Sequence, residues 1–531
     1  MIQEKILLVL SLLFAITMLT MLANKLKVSY PIFLVIAGLL ISLIPGIPDI
    51  SLNPHYVFLI FLPPLLYSAA WNTSWKDFWA MKRPISLLAF GLVIFTSAAV
   101  AFVSHSIIPD FPLAFGFLLG GIISPPDAVA ATSVLQGLRV PKRVVTILEG
   151  ESLINDASSL IVFSFALSAI TTGKFDLWDA TKSFFSVSIF GILIGVAIAN
   201  ILYVIHRFLP TTPAIDAAIT LISPYIMYIA AEHFHVSGVL AVVSGGLFLS
   251  FRSQDIFIYD SRLNVASIWQ TFTFLLNGIV FILIGLELPV IVTGLDHHSI
   301  LHAAWYGVII SLLTIVIRIV WVFPNTYIPR FLFKSIRENE RRPSWKAVFL
   351  VGWSGMRGVV SLASALAVPI MLDKAPFPHR HIILFITFVV ILITLVFQGL
   401  SLSPLIRFLK IEQKEEETEK LQALSLRIHL AESVLAYLDT NHQEEVENHD
   451  AYKRVRDRYD RMIEVAKRKL QQEESEELGA GFLPKYREML VAIVDVRRNE
   501  LRRVRHSGEY SEELIRERER ELDLEEARLR G

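Results

Sequence analysis

The chain has 531 residues, 54% of them hydrophobic and 18% charged, with 49 Lys plus Arg balanced by 49 Asp plus Glu and no cysteine. So apolar a balance excludes an ordinary soluble enzyme and points to a polytopic membrane protein. The absence of cysteine excludes disulfides, thiolate metal sites and a cysteine nucleophile, and a formal net charge of zero gives no case for nucleic acid.

A helical crossing needs about 17 to 25 predominantly apolar residues. The first such run, ILLVLSLLFAITMLTMLANKL, lacks a small-residue cleavage site followed by a soluble domain and reads as a retained span over 5–24. Twelve more are expected in order at 31–46, 56–72, 85–104, 112–136, 144–170, 183–205, 214–231, 236–251, 268–292, 302–323, 347–370 and 382–404. Basic residues sort onto alternate loops of this thirteen-span arrangement. One side carries Lys25, Lys27, Lys76, Lys82, Arg83, Arg139, Lys142, Arg143, Arg207, Arg252, Arg262 and the segment from Arg330 to Lys346. The other has only Lys5, Lys174, Lys182, Lys374 and Arg380. The excess of cations marks the cytoplasmic face, so the N-terminus is expected outside and the C-terminus inside, in a plasma or inner membrane. From Glu412 the composition turns to Glu, Lys, Arg and Gln with scattered aliphatics. This predicts a membrane domain over 1–410 and a soluble, charged helical tail over 411–531 that packs on itself or on a partner subunit.

Ionisable groups within spans cost about 2.5 to 3.5 kcal/mol each on insertion scales, so those present are functional candidates. The fifth span, GGIISPPDAVAATSVL, holds Pro125 and Pro126 at its centre. Two missing backbone donors should break that helix and leave Asp127 at the start of its second half. The twelfth, GWSGMRGVVSLASALAVP, is interrupted by Gly352, Gly355 and Gly358 beside Arg357. Two interrupted helices in separate halves of such a chain read either as a transport site between inverted repeats or as closely packed kinked helices. In EGESLINDASSLIVF, on the sixth span, Glu151 shares a face with Asn155, and Ser152 shares the next with Asp156. A carboxylate with hydroxyl and amide oxygens suits a small hard cation and can equally hold a proton. For Asp156 ion binding ranks first; for Glu151 a structural pair with an intramembrane arginine does. Arg318, in LLTIVIRIVWVF, is buried in another span.

Together GESLINDAS, SPPDAVA, FLPPLLY, IRIVWV and GWSGMRGVVSLA resemble the cation/proton antiporter superfamily, in its electroneutral sodium/proton exchanger branch, over about residues 5–410. The resemblance implies an all-α homodimer in which two crossed, broken helices, here the fifth and twelfth spans, move with a core domain against a dimerisation domain. It implies a non-enzymatic exchanger of sodium, or alternatively potassium, for protons, serving pH homeostasis without a cofactor. By it, Asp156 is the carboxylate that takes cation or proton, and Asn155 is the neutral neighbour of electroneutral members. Asp127 and Ser152 complete the site, Glu151 and Arg318 form an ion pair, and Arg357 compensates the facing helix ends. Two residues depart from the pattern: Pro126 replaces a frequent threonine, and Ser68 stands where many relatives carry an acid. A competing class, an intramembrane serine hydrolase, would use Ser354 of the G-x-S-G stretch, but the later span 382–404 offers no histidine base.

Overall fold

The computed structural model describes residues 2–44, 54–135, 138, 140–173, 177–293, 295, 297–339, 342–372, 375–410, 414–471, 482–507 and 512–530. The cations Arg139, Lys174 and Lys374 and the far end of the 31–46 span lie outside the described residues. The chain divides into two compact units, Met1–Glu412 and Gln413–Gly531.

Helices dominate the first unit because its apolar runs can satisfy backbone polar groups internally only by coiling. Among the described residues nine helices are long and apolar enough to cross a membrane. Of the thirteen spans expected, the other four fall on Tyr30–Ser42, Pro54–Asn72, Gly238–Phe251 and the pair Trp345–Trp353 and Val359–Leu366. None of these reaches that combination of length and apolarity, so a count of thirteen is not established. Tyr30–Ser42 and Gly238–Phe251 are short, and the last pair is divided by a non-helical stretch. Beyond Leu366 the chain leaves the helix and forms a small antiparallel hairpin, Met371–Leu372 with Ala375–Pro376, so the twelfth span ends earlier than its composition suggests.

Burial in this unit gathers in two apolar clusters. The larger surrounds both interrupted helices, with Ile122, Ile123, Ala130, Met356 and Leu362 among its members. The second joins Tyr67, Ala199, Met227, Val242 and Trp269. The Lys142–Thr172 helix serves both, giving Leu148 and Phe163 to the first and Leu153 and Ala157 to the second. Its polar residues 151–156 are therefore held between two packed bodies. At the first interrupted helix, Gly116 and Gly120 bring Leu113–Ile123 against Val93–Ile107; a Cβ on Gly116 would sit 2.7 Å from the Ala101 backbone. Small residues allow that approach where helices associate through van der Waals contact.

The second unit contains the helices Lys414–Asn441, Gln443–Asn448, Asp450–Gln471, Phe482–Ser507 and Glu512–Arg530. Lys414–Asn441 packs on Asp450–Gln471 through Ile428, Ala431, Ile463 and Ala466. Ion pairs flank that seam, Lys467 to Glu432 at 3.1 Å and Arg456 to Asp439 at 3.2 Å. In the other pair Arg498 reaches Glu526 at 2.6 Å and Asp523 at 2.7 Å. Exposed pairs such as Lys467 with Glu432 contribute about 0 to 1 kcal/mol each, so the apolar seam contributes more than its flanking charges to holding Lys414–Asn441 against Asp450–Gln471.

Candidate functional site

Pro125 and Pro126 do what their chemistry requires. The Leu113–Ile123 helix stops, residues 124–127 are non-helical, and the helix resumes as Ala128–Leu135. The second interruption separates Trp345–Trp353 from Val359–Leu366. The two interruptions cross, with Asp127 N donating to Met356 O at 2.7 Å. Asp127 caps the resumed helix, its Oδ1 accepting from Val129 N at 2.8 Å. Its Oδ2 is buried with no hydrogen-bond partner among the described residues.

Gly358 explains one of the glycines in the second interruption. A Cβ there would overlap the Asp127 carboxylate, so the backbone must pass bare beside it. Gly358→Ala is expected to lower stability by about 1 to 3 kcal/mol, the usual cost of overpacking. Thermal unfolding of the purified variant checks this; an unchanged midpoint would mean that the carboxylate can step aside.

The Lys142–Thr172 helix faces this crossing with three neighbouring polar residues. Asn155 Nδ2 donates to Pro126 O at 3.0 Å, taking a carbonyl left free by the break, while Asn155 Oδ1 is buried and makes no hydrogen bond among the described residues. Ser152 Oγ accepts from Ala128 N at 3.3 Å. Asp156, 6% exposed, follows Asn155 directly and lies four residues beyond Ser152 on the same helix face. Asp127, Ser152, Asn155 and Asp156 are thus brought to one place, with two carboxylates, an amide oxygen and a hydroxyl.

Arginine side chains brace the ends of the interrupted helices. Arg318 meets Glu151 through both guanidinium nitrogens, Nη1 to Oε1 at 2.5 Å and Nη2 to Oε2 at 2.7 Å, while its Nε donates to Val351 O at 3.1 Å. Neither residue is more than 1% exposed, and two-point geometry of this kind is the strong form of the interaction. Arg357 Nε donates to Ile123 O at 3.0 Å, the last residue of the first half-helix, and Nη1 donates to Gly355 O. A guanidinium there opposes the negative end of the helix dipole. Arg380 does the same service beyond Val359–Leu366, its Nε donating to Val368 O at 3.0 Å.

Two polar residues at the crossing escaped the sequence reading, Thr394 and Gln398. Their only signal is polarity within the apolar stretch ILITLVFQGL. A third feature lies apart from the site: His206 Nδ1 is 2.8 Å from Asp216 Oδ1, and Ser261 Oγ donates to Asp216 Oδ2 at 2.6 Å, joining the ends of three helices. Ser354 Oγ is buried with no hydrogen-bond partner among the described residues, so no histidine stands on it as a base.

The crossed interruptions have counterparts among known proteins. The sequence pattern described as sodium/hydrogen exchanger, transmembrane, matches residues 9–408. A sodium, potassium, lithium and rubidium/proton antiporter of Bacillus pumilus is 34% identical over 382 residues, covering 70% of this chain and 57% of the relative, so the chain spans little more than half of that protein. A sodium/proton antiporter of Aphanothece halophytica is 31% identical over 441 residues, covering 82% of this chain and 80% of the relative. In fold, the chain is similar to the sodium/proton antiporter MjNhaP1 of Methanocaldococcus jannaschii, with a TM-score of 0.60 at 19% identity over 77% of this chain and all of that one. With the family pattern covering most of its length and its apolar helices crossing the bilayer many times, this chain belongs to the sodium/hydrogen exchanger family, in the cation/proton antiporter superfamily.

Proposed function

We propose that the protein exchanges a monovalent cation, sodium or potassium, for a proton across the plasma membrane, one for one and by alternating access. The observation that carries this reading is the meeting of Asp127 and Asn155, whose Oδ2 and Oδ1 are buried without a hydrogen-bond partner among the described residues, at the crossing of two interrupted helices, with the buried Asp156 next along the same helix as Asn155. Buried oxygens without protein partners are ligands for a small cation, and broken helices at bilayer depth are where transporters hold one. Asp156 is the exchanging carboxylate, and Ser152, Asn155 and Asp127 supply the remaining oxygens. Glu151 with Arg318, and Arg357, fix the framework.

The charges support an electroneutral cycle. Glu151 and Arg318 cancel as a pair, Asp127 and Arg357 keep the same charge through both crossings, and Asp156 is balanced by one proton or one monovalent cation in turn. Either loaded state then crosses with the same net charge. The basic loops favour an outside N-terminus and a cytoplasmic C-terminus, and the lipid-embedded unit works as a homodimer. Reconstituted in vesicles and given sodium, potassium or lithium gradients in turn, the protein is expected to move protons against the cation. Cation flux without proton movement would make it a passive channel instead.

Asn155→Asp is expected to weaken cation affinity without making transport respond to voltage. The substitution replaces the donor to Pro126 O with a carboxylate facing a carbonyl, and the crowded pair of acids at 155 and 156 would retain an extra proton or cation through the cycle. Potassium- and valinomycin-clamped vesicles whose rates climb steeply with imposed potential would contradict this.

A further inference from the structure

The continuous helical segment Arg380–Leu409 runs beside the second interruption. Its residues Ile393–Gln398 form a π-helical turn, a wide turn that is rare and concentrates at functional sites. Thr394 and Gln398, the polar residues of that turn, are both fully buried. Thr394 Oγ1 accepts from Arg357 N at 3.1 Å, and it donates in turn to Val390 O at 2.7 Å, which fixes the direction of its lone pairs. Gln398 Nε2 donates to Trp353 O at 2.8 Å, while its Oε1 makes no hydrogen bond among the described residues. Trp353 closes the first half-helix and Arg357 lies one residue short of the second half's cap. The two side chains therefore grip the interruption at both shoulders, Thr394 satisfying the Arg357 N–H ahead of the second half-helix and Gln398 sharing the Trp353 carbonyl with Gly355 N, which also donates to it at 2.8 Å.

Between those shoulders lies Met356, whose carbonyl receives Asp127 N, and from the far shoulder the Arg357 side chain reaches Ile123 O. Whatever holds residues 353–357 therefore holds Asp127 and the end of the first half-helix as well. We infer that Thr394 and Gln398 are positioning residues for the exchange site. They touch neither cation nor proton, and they set cation affinity by clamping the crossing on which Asp127 and Arg357 stand. This rests on the exchange reading above.

A clamp made of hydrogen bonds and a contact made of packing respond oppositely to two substitutions. Thr394→Val keeps the shape and loses the acceptor for Arg357 N; Thr394→Ser keeps the acceptor and loses a methyl. In vesicles, Thr394→Val is expected to raise the half-saturating cation concentration about tenfold, the range expected when a buried donor loses its partner, with little change in maximal rate. Thr394→Ser is expected to stay within about twofold of the parent. A second readout needs no transport. The chain has no cysteine, so Ser354→Cys, at a position 1% exposed beside the clamp, provides a single thiol. Maleimide labelling in that background should accelerate about tenfold on adding Thr394→Val or Gln398→Met, and not on adding Thr394→Ser. Valine and serine variants that behave alike in both measurements overturn the clamp, as does serine proving the worse. Parent vesicles without cation-coupled proton movement would sink the exchange reading alone, since labelling still decides the clamp.

Discussion

Asp156→Asn folds, inserts and loses cation-coupled proton movement entirely: this is the expected result for the residue at the centre of the site. The amide keeps the size of the carboxylate and a polar oxygen, so the packing around a 6% exposed side chain survives. It cannot hold a proton and balance a cation by turns, so the cycle has no second state to return through. In the parent, competition of protons and cations for one carboxylate should weaken apparent cation affinity as pH falls. The rate should be bell-shaped, because the site stays protonated at low pH and lacks a proton for the return at high pH. Proton movement measured with a pH-sensitive dye in vesicles of correctly inserted Asp156→Asn checks the claim. Residual sodium- or potassium-driven movement would assign the proton to another group, with Asp127 first in line because its Oδ2 is buried and makes no hydrogen bond among the described residues.

The second large effect belongs to Glu151 and Arg318. Removing one member of a buried pair leaves the other charge uncompensated, at a cost of about 3 to 5 kcal/mol. Glu151→Gln should be the more damaging, because it leaves the Arg318 guanidinium without its counter-charge while Arg357 lies against the same Gly355, whereas Arg318→Gln leaves a carboxylate close to a remaining arginine. The double variant should be less harmed than the sum of the two, since it removes both charges at once. Thermal unfolding of the parent, the two singles and the double closes the cycle. Simple additivity would show that the 2.5 Å and 2.7 Å contacts carry no coupling energy.

The interruptions were legible because their cause is local. A proline pair removes two donors wherever it sits in a helix, and three glycines in seven residues permit a non-helical stretch, so Pro125, Pro126 and the 352–358 segment mark the breaks without knowledge of any neighbour. Helical spacing likewise put Ser152, Asn155 and Asp156 on adjoining faces before any partner was known. The span lengths were less legible: Tyr30–Ser42 and Gly238–Phe251 are short helices, and apolar composition marks what can be buried without saying where a helix must stop. Partnership was decided by the tertiary structure alone. Glu151 and Arg318 are 167 residues apart, and Arg357 and Ile123 are 234 apart. Thr394 and Gln398 carry no motif at all. The sequence determined which groups would be left unsatisfied in an apolar medium, because that follows from each residue's own chemistry and its helix. Which distant group satisfies each one depends on how whole helices cross, and that is set by the summed packing of two apolar clusters rather than by any single residue.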